Sequence, residues 1–320
     1  MRQPLHTLLT EQAARFSDLD SPRLSAEILL ALCLNISRPE LLKRLVLAPN
    51  SPAFASEDQK TTFQHLCARR MAGEPIAYIL GHKEFLGLDF KVTPHTLIPR
   101  PETELLVETA LTLAATRMKQ RGAPFAYLRS FTFADLCTGS GCIAVAFALS
   151  MPLWEGIAID ICEHALAVAR ANALAHGADQ LPFIQADIRQ LVLPESTRSI
   201  TSRAFVLRPE SLDLLLSNPP YVSEQEYGET SPEVRLFEPK IALVPPAEAG
   251  ADSDGFSLIA AVMRCAASAL RPGGALVMEL GHTQKERALA MLPPSLQRGA
   301  QVLPDLAGKD RVLVARKRLG

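Results

Sequence analysis

From about residue 94 onward, short apolar runs alternate with helical stretches, and this period constrains the fold more than any other feature of the chain. The apolar runs fall at 131–136, 156–160, 182–185, 213–217 and 275–280, with helical patterns such as 163–175 and 256–270 between them. Strands separated by helices pair in parallel and bury both faces, so the pattern predicts an α/β sheet covered by helices on each side. The interval 188–211 breaks the alternation. It is rich in Ser, Thr and Arg and reads as a surface insertion.

The first seventy residues follow a different rule. Ser21-Pro22, Ser37-Arg38-Pro39-Glu40 and Ser56-Glu57-Asp58-Gln59 each read as a helix start, the last two as capping boxes. They predict short helices through Leu24 and Leu29, through Leu41 and Leu45, and through Phe63 and Leu66. Gly73-Glu74-Pro75 then breaks the helical period, and Leu88-Asp89-Phe90-Lys91-Val92 alternates apolar with polar. Gly81 and Gly87 serve as turn points of a hairpin over 76–93. A chain of 320 residues exceeds what one core usually holds. The division expected is a helical domain at 1–72, a β-hairpin linker at 73–98 and an α/β domain at 99–320.

Composition excludes several classes. Lys and Arg number 33 against 34 Asp and Glu, a balance that argues against a surface built to hold duplex DNA. No apolar run approaches the ~18–20 residues of a membrane span, and the first residues lack a signal core. A cytoplasmic protein without a membrane partner is expected. Six cysteines are scattered with no Cys-x-x-Cys pair, so neither a disulfide framework nor a metal site is predicted.

Asp135-Leu136-Cys137-Thr138-Gly139-Ser140-Gly141 ends one apolar run in a small-residue turn that opens a helix. Glycine lets a ligand approach the backbone there, and the helix start offers free N–H groups. Gly139-x-Gly141-x-x-Ala144 also fits a dinucleotide fingerprint, so the turn alone does not choose a cofactor. Asp160 closes the next run, where a carboxylate can accept both hydroxyls of a ribose. Asp187 closes the third, where an adenine amino group would be read, with Ile188 against the ring. Three such strand ends line one crevice, and together they favour an adenosine-containing cofactor.

Asn218-Pro219-Pro220-Tyr221 follows the fourth run. Two prolines halt the strand ladder and stiffen the backbone. The Asn218 side-chain oxygen and the Pro219 carbonyl then suit a planar NH2 group, and Tyr221 offers a face for it to stack on. Such a grip aims the nitrogen at an electrophile, which is catalysis by positioning.

The glycine turn followed by Asn-Pro-Pro-Tyr resembles the class I S-adenosylmethionine-dependent methyltransferases that modify planar nitrogens. More narrowly, the chain is similar to the HemK/PrmC family, the peptide chain release factor glutamine N5-methyltransferases. The resemblance runs from roughly Ser21 to Arg311 and includes residues 73–81, 84–88, Ile98-Pro99-Arg100-Pro101-Glu102-Thr103-Glu104, Phe237-Glu238-Pro239, Asp254-Gly255, Glu279-Leu280-Gly281-His282 and 305–311. It implies a Rossmann-like seven-stranded sheet whose last strand, at 311–315, inserts antiparallel beside a partner near 299–303. It implies S-adenosyl-L-methionine held by Asp135, Cys137, Thr138, Gly139, Ser140, Gly141, Asp160, Asp187, Ile188 and Asn218. Asn218, Pro219, Pro220 and Tyr221 would hold the glutamine of the Gly-Gly-Gln motif of class-1 release factors, with the helical domain docking that protein. Cys137 departs from the family's usual glycine, and its Cβ either tightens the pocket or keeps that residue out of the left-handed region. The ribosomal-protein glutamine methyltransferases rank second, because their corresponding segment typically reads Pro-Arg-Ser-Pro-Ile. Adenine-N6 nucleic-acid methyltransferases rank third, since no base-reading module follows the α/β domain.

Overall fold

The structure, a computed structural model, describes residues 3–54, 56–121, 131–191, 207–246 and 254–319. Contacts divide the chain into two compact units, Met1–Gly81 with Ser231–Phe237, and His82–Thr230 with Glu238–Gly320.

The first unit is helical: α1 (Leu5–Arg15), α2 (Pro22–Leu34), α3 (Arg38–Leu47), α4 (Glu57–Met71) and α5 (Ile76–Leu80). Leu9, Phe16, Leu29, Leu30, Leu41 and Phe63 form its core. Ser37 and Ser56 cap as predicted, each accepting a hydrogen bond from the N–H three residues on, at 3.3 Å. The predicted box at Ser37 stays half-built, because Glu40 turns its carboxylate to Arg44. Ser21 does not cap. It sits at φ 49° with no side-chain bond, and Pro22 begins α2. Helix α1 follows Pro4 without a side-chain cap, so reading by caps passes over it. Residues 76–80, expected as hairpin, form α5 instead: Pro75 opens a single turn that Gly81 closes at φ 81°. Residues 231–237 join this unit through Glu233, which accepts from the buried Arg70 guanidinium at 2.8 Å.

The second unit opens with the hairpin β1 (His82–Phe85) and β2 (Leu88–Lys91), paired from His82↔Lys91 to Phe85↔Leu88. Helix α6 (Pro101–Arg121) leads to the sheet. The strands and helices alternate as β3 (Phe131–Leu136), α7 (Cys142–Ser150), β4 (Trp154–Asp160), α8 (Glu163–His176), β5 (Phe183–Gln185) and β6 (Leu212–Ser217). After α9 (Glu224–Glu229), and past α10 (Pro232–Phe237), which belongs to the first unit, come α11 (Ser257–Ala269), β7 (Leu270–Glu279), α12 (Lys285–Met291), β8 (Gln301–Pro304) and β9 (Asp310–Arg316).

The seven strands lie in the order β5-β4-β3-β6-β7-β9-β8, and β9 runs antiparallel between β7 and β8. The antiparallel insertion at 311–315 beside 299–303 is therefore present, displaced by no more than two residues. Strand β7 begins at Leu270 rather than 275, because its pairing with β6 jumps from Leu212↔Leu270 to Leu214↔Ala275. One face of the sheet packs Phe131, Phe133, Phe147 and Trp154 among α6 and α7 residues, and the other packs against α11. At the end of the sheet opposite the glycine turn, the buried Asp213 carboxylate pairs with Arg117 and Arg271 and accepts from Thr132 N, tying α6 to β3, β6 and β7. Most of the expected insertion, 192–206, lies outside the described residues. Its ends do not: Leu191 and Leu207 are both in the core, and Leu207 N–H donates to Leu191 O at 3.2 Å.

Gly156 in β4 marks how tightly the aromatic face is packed. A Cβ there would stand 2.1 Å from the Phe133 ring. Gly156→Ala is expected to lower unfolding free energy by about 1–3 kcal/mol, the usual cost of overpacking a core, as read by urea denaturation.

Candidate active site

The carboxyl ends of β3, β4, β5 and β6 converge on one cavity, at the point where the chain leaves β3 for one side of the sheet and returns through β6 on the other. The glycine turn forms its floor. Gly139 and Gly141 take φ 56° and 81°, and a Cβ on Gly141 would meet Ala169 Cβ of α8 at 3.0 Å. Glycine is needed there for helix-to-turn packing as well as for the bend. Thr138 N–H bonds Ile159 O at 3.0 Å, so the turn is stitched to β4.

Asp160 reinforces that stitch. One carboxylate oxygen accepts from Gly139 N and the other from Cys162 N, both at 2.9 Å, and burial raises its acidity range. Each oxygen keeps a lone pair for a further donor. Asp135 lies beneath the turn, wholly buried. Its Oδ2 accepts from the Thr138 hydroxyl at 2.6 Å, while Oδ1 has no partner. Burial, with the Asp160 charge adding to it, pushes Asp135 up to about 7. Two carboxyls strained in this way gain when a cation enters beside them, which fits a sulfonium that also carries an ammonium group.

Of the residues read from the sequence, Cys137, Thr138, Gly139, Ser140, Asp160, Asp187, Ile188, Asn218 and Pro220 line the cavity. Asp135, Gly141, Pro219 and Tyr221 stand behind that lining. Cys137 adopts φ 62°, so the left-handed backbone is kept despite the Cβ, and burial holds its thiol well above the usual range. Asp187 lines the cavity with its charge already engaged. Arg189 grips both carboxylate oxygens at 2.6–3.0 Å and lowers the group's range, so an adenine amino group would share an acceptor with that guanidinium.

Tyr221 differs most from expectation. Its hydroxyl donates to Glu279 Oε1 at 2.9 Å, and its ring packs against the core rather than opening on the cavity. Its backbone is also clamped, because Gln284 Nε2 donates to Tyr221 O at 2.8 Å. Beside it, a Cβ on Gly255 would fall 2.2 Å from that same oxygen. The phenol supports the wall from behind.

Several site residues carry no chemistry that local spacing could reveal. Pro99 and Arg100 line the cavity from the segment before α6, and Thr103 lines it from the first turn of that helix. Glu238, nearly buried, fixes that segment by accepting from Ile98 N at 3.1 Å and from Arg100 Nη2 at 2.5 Å. Thr103 donates to Glu279 Oε2 at 2.6 Å and lies 3.2 Å from Asn218 Nδ2. Glu279 is buried, and burial raises its range while Thr103 and Tyr221 oppose the rise. The quoted family segments around 98–104, 237–239 and 279–282 were the only signal for these residues. Among the described residues, no cluster of three or more His, Cys, Asp or Glu could hold a metal, and no helix is long and apolar enough to cross a membrane.

A seven-stranded sheet with its last strand inserted antiparallel, a glycine turn flanked by acids and an Asn-Pro-Pro-Tyr wall together define a class I S-adenosylmethionine-dependent methyltransferase. Comparisons narrow this. A family model described as the PrmC N-terminal domain matches residues 7–81, ending where the first unit's helical run ends, and one described as a methyltransferase domain matches 133–218. The release factor glutamine methyltransferase of Nitratidesulfovibrio vulgaris is 42% identical over 311 residues, 96% of this chain and 92% of its own. Those of Moorella thermoacetica and Bordetella pertussis are 37% and 38% identical, covering 99% and 96% of this chain and 99% and 98% of theirs. The chain belongs to the release factor glutamine methyltransferase family.

Asp135 yields a pH test. Its folded-state proton is held more tightly than the ordinary 3.8, up to about 7, so its contribution is greatest below 3.8 and is lost as pH rises through that window. With no cofactor added, the stability of the parent minus that of Asp135→Asn is expected to fall as pH rises across this interval. A flat difference in urea titrations would show that the carboxyl is not so perturbed.

Proposed function

We propose that this protein transfers a methyl group from S-adenosyl-L-methionine to the side-chain amide nitrogen, N5, of the glutamine in the Gly-Gly-Gln motif of class-1 peptide chain release factors. Membership of the family supports the reaction. The single observation that carries it is the state of Asn218. Its Nδ2 is engaged by Thr103, and among the described residues no group donates to its Oδ1 on the cavity side. Oδ1 is then the acceptor on the cavity wall for a primary amide, and the second is assigned to the carbonyl of the adjoining Pro219, which does not itself line the cavity.

A primary amide nitrogen is a weak nucleophile, because its lone pair is delocalised into its carbonyl. The cofactor supplies a methyl on a sulfonium, an electrophile whose leaving group is a neutral thioether. The protein's part is orientation. The two acceptors hold both N–H bonds in one plane and leave the out-of-plane electron density facing the methyl, at the ~3–3.5 Å of a near-attack pose. As the nitrogen gains positive character these hydrogen bonds strengthen, so they stabilise the transition state more than the ground state. Asp160 is the acceptor for the ribose hydroxyls, and Asp135 lies under the cationic end. The helical unit supplies the second grip on the release factor. Val46 and Leu47 on α3, 80% and 72% exposed, are apolar side chains available for such docking.

Mixing the protein with labelled cofactor and either release factor, ribosomal protein or DNA tests the assignment. Label is expected in the release factor, and its appearance only in another species would overturn the reading. Asn218→Ala is expected to depress turnover roughly 10²–10³-fold, the scale of removing one preorganised polar group, with little change in cofactor affinity. A near-parent single-turnover rate would exclude amide positioning by Asn218. Asp160→Ala is expected to weaken cofactor binding by about 1.5–3 kcal/mol for each bond lost to the charged group, measured calorimetrically. Because Asp160 also holds Gly139 N and Cys162 N, slackening of the turn adds to that loss.

A further inference from the structure

Glu279 closes β7 with 2% of its surface exposed, and among the described residues no lysine or arginine forms an ion pair with it. A buried carboxylate without a cation is costly unless donors compensate it. Here two hydroxyls do, Tyr221 O–H at Oε1 and Thr103 O–H at Oε2. An ionised carboxylate only accepts, and each hydroxyl has one proton to give. With its proton given to Glu279 Oε2, as the ionised carboxylate requires, Thr103 can act toward Asn218 only as an acceptor.

An asparagine amide has two ends of nearly equal shape and opposite hydrogen-bonding sense. Turned one way, Asn218 presents Oδ1 to the cavity and accepts from a substrate N–H. Turned the other way, it presents Nδ2 and repels that same N–H. We propose that Glu279 is a positioning residue for methyl transfer, fixing through Thr103 the orientation in which Asn218 offers its oxygen to the substrate amide. Thr103 is the intermediary: its bond to Glu279 is short, 2.6 Å, and its remaining lone pair meets Asn218 Nδ2 at 3.2 Å. Tyr221 shares the carboxylate, so the Asn-Pro-Pro-Tyr segment is tied to Glu279 at both of its ends, once through Thr103 and once directly.

The chain links residues 103, 218 and 279 from α6, the end of β6 and the end of β7, which gives it a rigid base. It also gives the position of Thr103 a chemical requirement. A hydroxyl is needed there, whereas a methyl of the same size would fill the space and leave the amide free to rotate.

This inference rests on the amide-methylation reading above. The test uses the full chain, labelled S-adenosylmethionine and an intact class-1 release factor under both single-turnover and steady-state conditions. Thr103→Val keeps the side-chain shape and removes the acceptor. It is expected to slow methyl transfer on the order of 10²-fold, the cost of a misoriented reacting group, with release-factor KM and cofactor affinity near those of the parent. Thr103→Ser restores the hydroxyl and is expected to recover most of the rate. Glu279→Gln carries its own N–H donor, frees the Thr103 proton and is expected to be slow as well. The double variant Thr103→Val/Glu279→Gln is expected to be no slower than Thr103→Val, since both changes break one relay. Thr103→Val at the parent rate, Thr103→Ser as slow as Thr103→Val, a raised KM with unchanged kcat, or additive losses in the double variant would each overturn the proposal. A parent enzyme that leaves the release factor unlabelled would instead overturn the functional reading.

Discussion

The site depends on β3 pairing in parallel with β4 on one side and β6 on the other. Because helices leave β3 and β6 in opposite directions, their carboxyl ends open a gap that no connection among the described residues crosses. The glycine turn and the Asn-Pro-Pro-Tyr segment hang from the rims of that gap, with Asp160 beside them at the end of β4. Asp135 to Gly141 follow β3, Asp160 ends β4, and Ser217 to Tyr221 follow β6. One backbone and one side-chain bond hold the strand ends in register: Thr138 N–H donates to Ile159 O, and the Ser217 hydroxyl donates to Leu136 O at 2.8 Å. The glycine turn and the Asn-Pro-Pro-Tyr wall cannot shift relative to each other without breaking the ladder beneath them.

That rigidity suits a reaction driven by orientation. The glycine-turn side of the cavity carries two carboxyls raised by burial, while the Asn218 side presents an uncharged amide. On the proposed function the first would receive the cationic cofactor and the second would sort donors from acceptors. Separation of the two tasks explains how Cys137 is tolerated. Its left-handed backbone costs roughly 1–2 kcal/mol relative to glycine, but the strain falls on the turn and leaves the Asn218 wall untouched.

Much of this was legible in the sequence where the signal is local. Period change marked the sheet, and the ends of β3, β4, β5 and β6 fall where the apolar runs stop, because a buried parallel strand must be apolar along its length. The acids and the proline pair follow those ends directly. What was not legible is relational. Nothing in the vicinity of Glu279 signals that it meets Thr103, 176 positions away, and Glu238 reaches back 138 positions to Arg100. Tyr221 looked like a stacking face because its partner carboxylate is remote in sequence. Asp187 looked free because its grip by Arg189 depends on a 3-10 turn at Ile188–Gln190 that no periodicity announces. Ser21 failed as a cap for a local reason: its backbone is left-handed, and the serine-proline pattern does not report φ.

The bond from Leu207 to Leu191 has an evolutionary consequence. Both leucines are anchored in the core, and the bond joins the two ends of the interval at one point. Whatever is spliced between them begins and ends at the same fixed staple, so its length is uncoupled from the geometry of β5 and β6. Doubling the length of such a loop costs only ~0.6 kcal/mol in closure entropy. Lineages can therefore lengthen, shorten or exchange this interval almost without cost to the catalytic sheet. That makes it a natural place for descendants of one enzyme to diverge.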